Sequence, residues 1–120
     1  MKHYELQPSE LKIMNVIWDH HPISASEIAS ILMKETAWSK NTIYTLITRV
    51  VKKGFVKRTD PNFVCEPIIT RKQIQQQETK SLVDRLYAGS LNMLFARIIE
   101  DENLSDAELE ELRNLLDQKR

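Results

Sequence analysis

The chain has 120 residues, 42% hydrophobic and 28% charged, with 17 basic residues balancing 17 acidic ones. That composition excludes a disordered chain and leaves room for one ordinary domain or two very small ones, with roughly 65% of the unfolded surface buried on folding. No apolar run approaches the roughly 20 residues that span a bilayer, Met1-Lys2-His3-Tyr4-Glu5 does not lead into a signal-peptide core, and a lone Cys65 offers no internal disulfide and suits a reducing cytoplasm.

Along the chain, Pro8 fits the first turn of a helix, with Glu10 placed to favour its dipole. Leu11, Met14, Ile17 and Trp18 mark its apolar stripe, which ends near His20-His21-Pro22. Ser24-Ala25-Ser26-Glu27 is a capping box, and the helix it starts shows Ile28, Ile31 and Leu32 as far as about Lys34. Thr36-Ala37-Trp38 then links to the most informative segment. From Ser39 to Gly54, Ile43, Leu46, Ile47, Val50 and Val51 make one stripe at helical spacing. The opposite face carries Lys40, Asn41, Tyr44, Thr45, Thr48 and Lys52, with Thr42, Arg49 and Lys53 on its flank and no carboxylate. Ser39 is placed to cap the helix, and Gly54 to end it in a left-handed conformation.

Two short helices joined by a tight turn, the second polar and cationic outside, make a helix-turn-helix. Amides, hydroxyls and cations are the groups that read base edges and phosphates in a major groove. The charge distribution agrees. Lys34 to Arg58 carries seven cations against Glu35 alone, about +6, whereas Glu100 to Arg120 sums to about −5. Asn41, Thr42 and Thr45 are the base-edge candidates, near the helix N-terminus; Arg49, Lys52, Lys57 and Arg58 suit phosphate.

After Gly54 the period changes. Phe55-Val56-Lys57-Arg58, Asp60-Pro61-Asn62 and Phe63-Val64-Cys65-Glu66-Pro67 read as strand, turn and strand, a hairpin wing beside the recognition helix. Thr70-Arg71-Lys72-Gln73 is a second capping box, opening a polar helix to about Tyr87 whose early turns show only Ile74 as apolar. That pattern predicts a bridge rather than a helix packed on the first domain. Past Gly89, Leu91, Leu94, Phe95, Ile98 and Ile99 form another stripe; Ser105-Asp106-Ala107-Glu108 caps a last helix with Leu109, Leu112, Leu115 and Leu116. The fold class expected is mainly α with a small β-hairpin wing: a winged helix-turn-helix domain over residues 1–69, and a helical dimerisation domain over 70–120. Fifty residues bury too little to be comfortable alone, so the C-terminal faces are expected to close on a second copy. Two recognition helices would then meet successive major grooves roughly 34 Å apart or a multiple of it, on a palindromic site.

The remaining residues read as structure. Trp18 and Trp38 suit core packing at helix junctions, Cys65 a buried strand position, and His3, His20 and His21 no ligand set. No catalytic constellation, metal site or cofactor loop is expected. The competing reading is a winged helix used only for protein contacts, as an assembly module without DNA binding.

Leu11-Lys12-Ile13-Met14-Asn15-Val16-Ile17-Trp18, Ser24-Ala25-Ser26-Glu27-Ile28, Trp38 through Arg49, Lys52-Lys53-Gly54 and Glu110-Glu111-Leu112 resemble the penicillinase-repressor family, the BlaI and MecI group with the copper repressor CopY as a relative. The resemblance covers nearly the whole chain. It implies repression of antibiotic-resistance genes from a palindromic operator, and induction when a membrane sensor protease detects β-lactam and the repressor is cut in its C-terminal domain. The family's scissile bond aligns near Arg97-Ile98, where the best-studied members have Asn-Phe. Several relatives carry a basic residue at the place of Tyr44. The tail lacks the paired cysteines of the copper branch, which places the chain nearer BlaI and MecI.

Overall fold

A computed structural model describes residues 3–101 and 103–119. The chain forms two compact units, Met1–Gln77 and Glu78–Arg120. The division falls inside a helix, beyond the expected start of the C-terminal part at residue 70.

The first unit opens with α1 (Pro8–His20), whose buried residues are Glu10, Ile13, Met14, Val16 and Ile17. Its face is rotated from the expected stripe: Leu11 is exposed, while Ile13 is fully enclosed. The β-branched Ile13, Val16 and Ile17 fill the space against the other helices, and their burial, worth about 1.5–3 kcal/mol each, outweighs that of Leu11. Helix α2 (Ala25–Glu35) begins at Ser24, whose hydroxyl accepts the Glu27 N–H at 3.2 Å, and buries Ala25, Ile28, Ala29 and Leu32. Helix α3 (Lys40–Lys52) buries Ile43, Leu46, Ile47 and Val50. Together α1, α2 and α3 enclose a core in which Ile13, Ile17, Ile28, Ile43, Ile47 and Val50 have no exposed surface.

Gly54, at φ +83°, turns the chain out of α3. A side chain there would meet nothing within 4 Å, so glycine is needed for its backbone angle alone. The wing strands follow as β2 (Val56–Thr59) and β3 (Val64–Pro67), paired antiparallel with Arg58 opposite Cys65. A further two-residue strand, β1 (Ile23–Ser24), pairs with the other edge of β3, so the sheet has three strands in the order β1-β3-β2 rather than the two expected. Ile23-Ser24 is too short to show a period. Its position is set by Cys65 and Val64, which lie about forty residues away in sequence.

Helix α4 (Arg71–Leu86) starts with the predicted capping box: Gln73 Oε1 accepts the Thr70 N–H at 2.8 Å, and Thr70 Oγ1 accepts the Gln73 N–H at 3.0 Å. The expectation that its early turns stand off the first domain is overturned. Ile74 is buried in the first unit's core, and Gln77 donates to Tyr4 O at 2.8 Å and accepts the Tyr4 N–H at 2.7 Å. Arg71 pairs with Asp19 at 2.8 Å, and Trp18 donates its indole N–H to Ile69 O at 3.0 Å. Polar side chains can anchor a helix when they meet backbone groups, which a hydrophobic pattern does not register.

The second unit contains the end of α4, α5 (Leu91–Asp101) and α6 (Asp106–Gln118). Gly89 at φ +77° and Ala88 at φ +49° make the turn before α5, and Ser105 Oγ accepts the Glu108 N–H at the start of α6. Neither α5 nor α6 has a buried residue, and Leu91, Met93, Phe95, Ile99, Leu109, Leu115 and Leu116 are all exposed.

Candidate nucleic-acid interface

The outer face of α3 is built by its cap. Ser39 has extended backbone, and its Oγ accepts the Thr42 N–H at 3.2 Å while donating to Thr42 Oγ1 at 3.0 Å. This fixes the first turn and leaves the Thr42 hydroxyl proton free to donate outward. Asn41, Thr42 and Thr45 are all exposed. Thr45 donates its hydroxyl to Asn41 O at 2.9 Å, so what it presents outward is a methyl group and oxygen lone pairs. There is no acidic residue in the first turn of α3, whose dipole favours an approaching anion.

Further along, Asn41, Tyr44, Thr45, Thr48, Arg49, Lys52 and Lys53 line an open depression of about 600 Å³. Thr48 and Lys53, which the helical repeat puts on the outer face and its flank but which carry no assigned contact, line it as well. The cations divide into two groups. Lys40, Lys52 and Lys57 have no carboxylate partner among the described residues, whereas Arg49 and Lys53 lie over the buried Glu10, at 4.0 and 2.8 Å. Burial alone would raise the Glu10 carboxyl, but the Lys53 hydrogen bond, the Gln7 N–H and the charges of Lys53 and Arg49 outweigh it. Together they hold the carboxyl below its ordinary value. Sequence reading placed Glu10 only as a dipole partner, because nothing local reveals a contact across 43 residues.

In the wing, Lys57 and Arg58 lie exposed on β2. Arg58 pairs with Asp60 at 3.0 Å and stacks over the Phe63 ring at 3.6 Å. Tyr44 meets the same ring edge-on at 6.3 Å, and Lys40 sits 5.7 Å over Tyr44. Trp18 and Trp38 are half-buried against the core, and Cys65 is fully buried, its thiol pushed up to about 11 by burial in spite of the nearby Arg58 charge. Arg97 and Ile98 are elsewhere, in the middle of α5, where Arg97 pairs with Asp101 at 3.5 Å. Among the described residues no group of three or more His, Cys, Asp or Glu side chains converges on one point.

The family model of the penicillinase repressor matches residues 6–118. The chain belongs to the penicillinase-repressor family. It is 37% identical to the methicillin resistance regulatory protein MecI of Mammaliicoccus sciuri, over 98% of each chain. To the penicillinase repressor of Bacillus licheniformis it is 32% identical, over 95% of this chain and 91% of the other. Among solved structures, the DNA-binding domain of the repressor BlaI superposes with a TM-score of 0.54 at 35% identity, covering 59% of this chain and 90% of that one. The monomeric form of B. licheniformis BlaI in complex with the blaP half-operator gives 0.52 at 35% identity, covering 60% and 92%. This penicillinase-repressor homologue is thus mostly helical, with the small sheet of a winged helix.

Proposed function

We propose that the chain is a transcriptional repressor that binds a palindromic DNA operator as a homodimer and controls antibiotic-resistance or related genes in the cytoplasm. The observation that carries this reading is the exposed face of α3, which offers Asn41, Thr42 and Thr45 with no carboxylate among them, flanked by Lys40, Lys52 and Lys57 without acidic partners among the described residues. Ser39 caps the helix and lends its first turn to the backbone; Asn41, Thr42 and Thr45 read base edges; Arg49, Lys52, Lys57 and Arg58 take phosphates, with Tyr44 between helix and wing. The relatives support the reading: one is named a regulatory protein of methicillin resistance, and BlaI is seen with a half-operator.

The exposed apolar side chains of α5 and α6 (Leu91, Met93, Phe95, Ile99, Leu109, Leu115 and Leu116) are the surfaces on which a second copy closes. Tethering two weak half-site binders raises the local concentration of the second to about the millimolar range. A membrane sensor protease is the proposed partner for induction, with Arg97-Ile98 as the cleavage region. The bond lies inside α5, so cutting it requires that helix to open first. No enzymatic activity of the chain itself is part of this function.

Fluorescence anisotropy with duplexes selected by the wild-type chain from a randomised pool tests the reading. Binding should weaken steeply with salt as neutralised phosphates release counterions. A Thr42→Ala, Thr45→Ala double variant should lose base preference by about 1–3 kcal/mol, and retention of the wild-type preference would remove the assignment of the reading face. An assembly module without DNA binding would show no salt-dependent retention at all.

A further inference from the structure

Phe63 is a bulky residue held at φ +48°, a left-handed conformation in which side chains other than glycine are rare. Glycine would occupy that angle without strain, but Phe63 is half-buried and packs in part against the first unit's core. The backbone there is pinned, because Phe63 O accepts the Ala25 N–H at 2.9 Å. A strained aromatic retained in a pinned turn points to a use for its ring. The ring's two partners show the use. The Arg58 guanidinium lies 3.6 Å over the ring, and the Tyr44 ring of α3 stands at 85° to it with centroids 6.3 Å apart. Asp60 engages Arg58 through Nε at 3.0 Å, leaving the two terminal nitrogens without a protein partner among the described residues.

We infer that Phe63 is a positioning residue which, braced by Tyr44, holds the Arg58 guanidinium at a fixed distance from the recognition helix, so that its terminal nitrogens meet a backbone phosphate while α3 reads the adjacent bases. This rests on the DNA-binding reading above. Arg58 is long and otherwise flexible; a stacked, ion-paired guanidinium has already lost that freedom before the duplex arrives. The wing and the helix then engage in one register.

The test uses the full chain and a fluorescein-labelled duplex selected by the wild-type protein, with anisotropy followed across a salt series. Arg58→Ala should lower the slope of log affinity against log salt by about 0.9 per protomer. Phe63→Leu keeps apolar bulk but removes the aromatic face; its slope should fall at least half-way to that of Arg58→Ala, with affinity down about two- to fivefold. Phe63→Tyr should restore the slope, and Arg58→Ala combined with Phe63→Leu should be no worse than Arg58→Ala alone. Wild-type slope in Phe63→Leu, unchanged slope in Arg58→Ala, or simple additivity in the pair would each overturn the inference while DNA binding itself stands. A wild-type chain that shows no salt-dependent binding would remove both.

Discussion

Lys53 Nζ sits 2.8 Å from Glu10 Oε1, joining the end of the recognition helix to the first turn of α1 through a carboxylate that has no exposed surface. The two partners are not equivalent. Lys53 also donates to Glu5 O at 3.1 Å and keeps part of its side chain in water, whereas Glu10 Oε2 has no hydrogen-bond partner. Removing the lysine leaves the buried carboxylate with only the Gln7 N–H and Arg49 at 4.0 Å; removing the carboxylate frees a lysine that can turn to solvent. Lys53→Met should therefore cost about 3–4 kcal/mol, and Glu10→Gln about half as much or less, as read from urea unfolding midpoints. Equal costs would contradict the asymmetry.

The same carboxylate gives the fold an acid-sensitive component. Its folded value lies below the ordinary 4.5, so its contribution is complete above about that pH and is lost as pH falls through the lower folded value. Urea denaturation between neutral and acid pH should show wild-type stability falling more steeply below 4.5 than that of Glu10→Gln, the two curves running parallel above it.

Cys65 has no exposed surface and a thiol raised to about 11, so thiolate is scarce and inaccessible at neutral pH. A disulfide-exchange reagent should leave the native chain unmodified and label it only as fast as it unfolds. Cys65→Ser should destabilise by about 1–3 kcal/mol, because the new hydroxyl would be buried with only the Phe63 carbonyl, 3.8 Å from the present sulfur, near it. Rapid labelling of folded protein would show that the β3 strand opens locally.

At Gly54 only the backbone angle matters, since a side chain would find open space. Gly54→Asn should be tolerated better than Gly54→Val, because a branched Cβ resists φ near +83° while asparagine adopts it with less strain. Thermal unfolding separates the two by about 1 kcal/mol or more.

For the C-terminal unit, Leu115 and Leu116 are more than half exposed, and burying each against another copy would contribute about 1.5–2 kcal/mol. On the proposed homodimer, Leu116→Glu should shift sedimentation toward monomer and weaken binding to a palindromic duplex much more than to a single half-site.

The helices and four of their caps were legible from the chain alone, while those at Gln7 and Ser90 were not. Ser24, Ser39, Thr70 and Ser105 each sit where a side-chain oxygen meets the third backbone N–H, and that signal is local. What escaped sequence reading is long-range. Strand β1 exists because of Cys65 and Val64; the early turns of α4 dock because Gln77 meets the Tyr4 backbone; Glu10 is buried because Lys53 arrives from α3. The face of α1 was misplaced for a related reason: Leu11 and Ile13 are both apolar, and only the neighbours decide which is enclosed. At the interface, the exposed positions of α3 follow from periodicity, but Phe63 does not. Its strained angle and stacked partners leave no mark in a hydrophobic pattern.

Within the small sheet, β1 covers one side of β3, and β2 is left as the other border with no strand beyond it among the described residues. An open border is a template for chain-to-chain aggregation, and short length and positive charge are the usual protections against it. Strand β2 is four residues long and carries Lys57 and Arg58 at its centre. The side chains suited to a polyanion therefore also repel a second copy of the same strand, and replacing both would leave the wing prone to self-association.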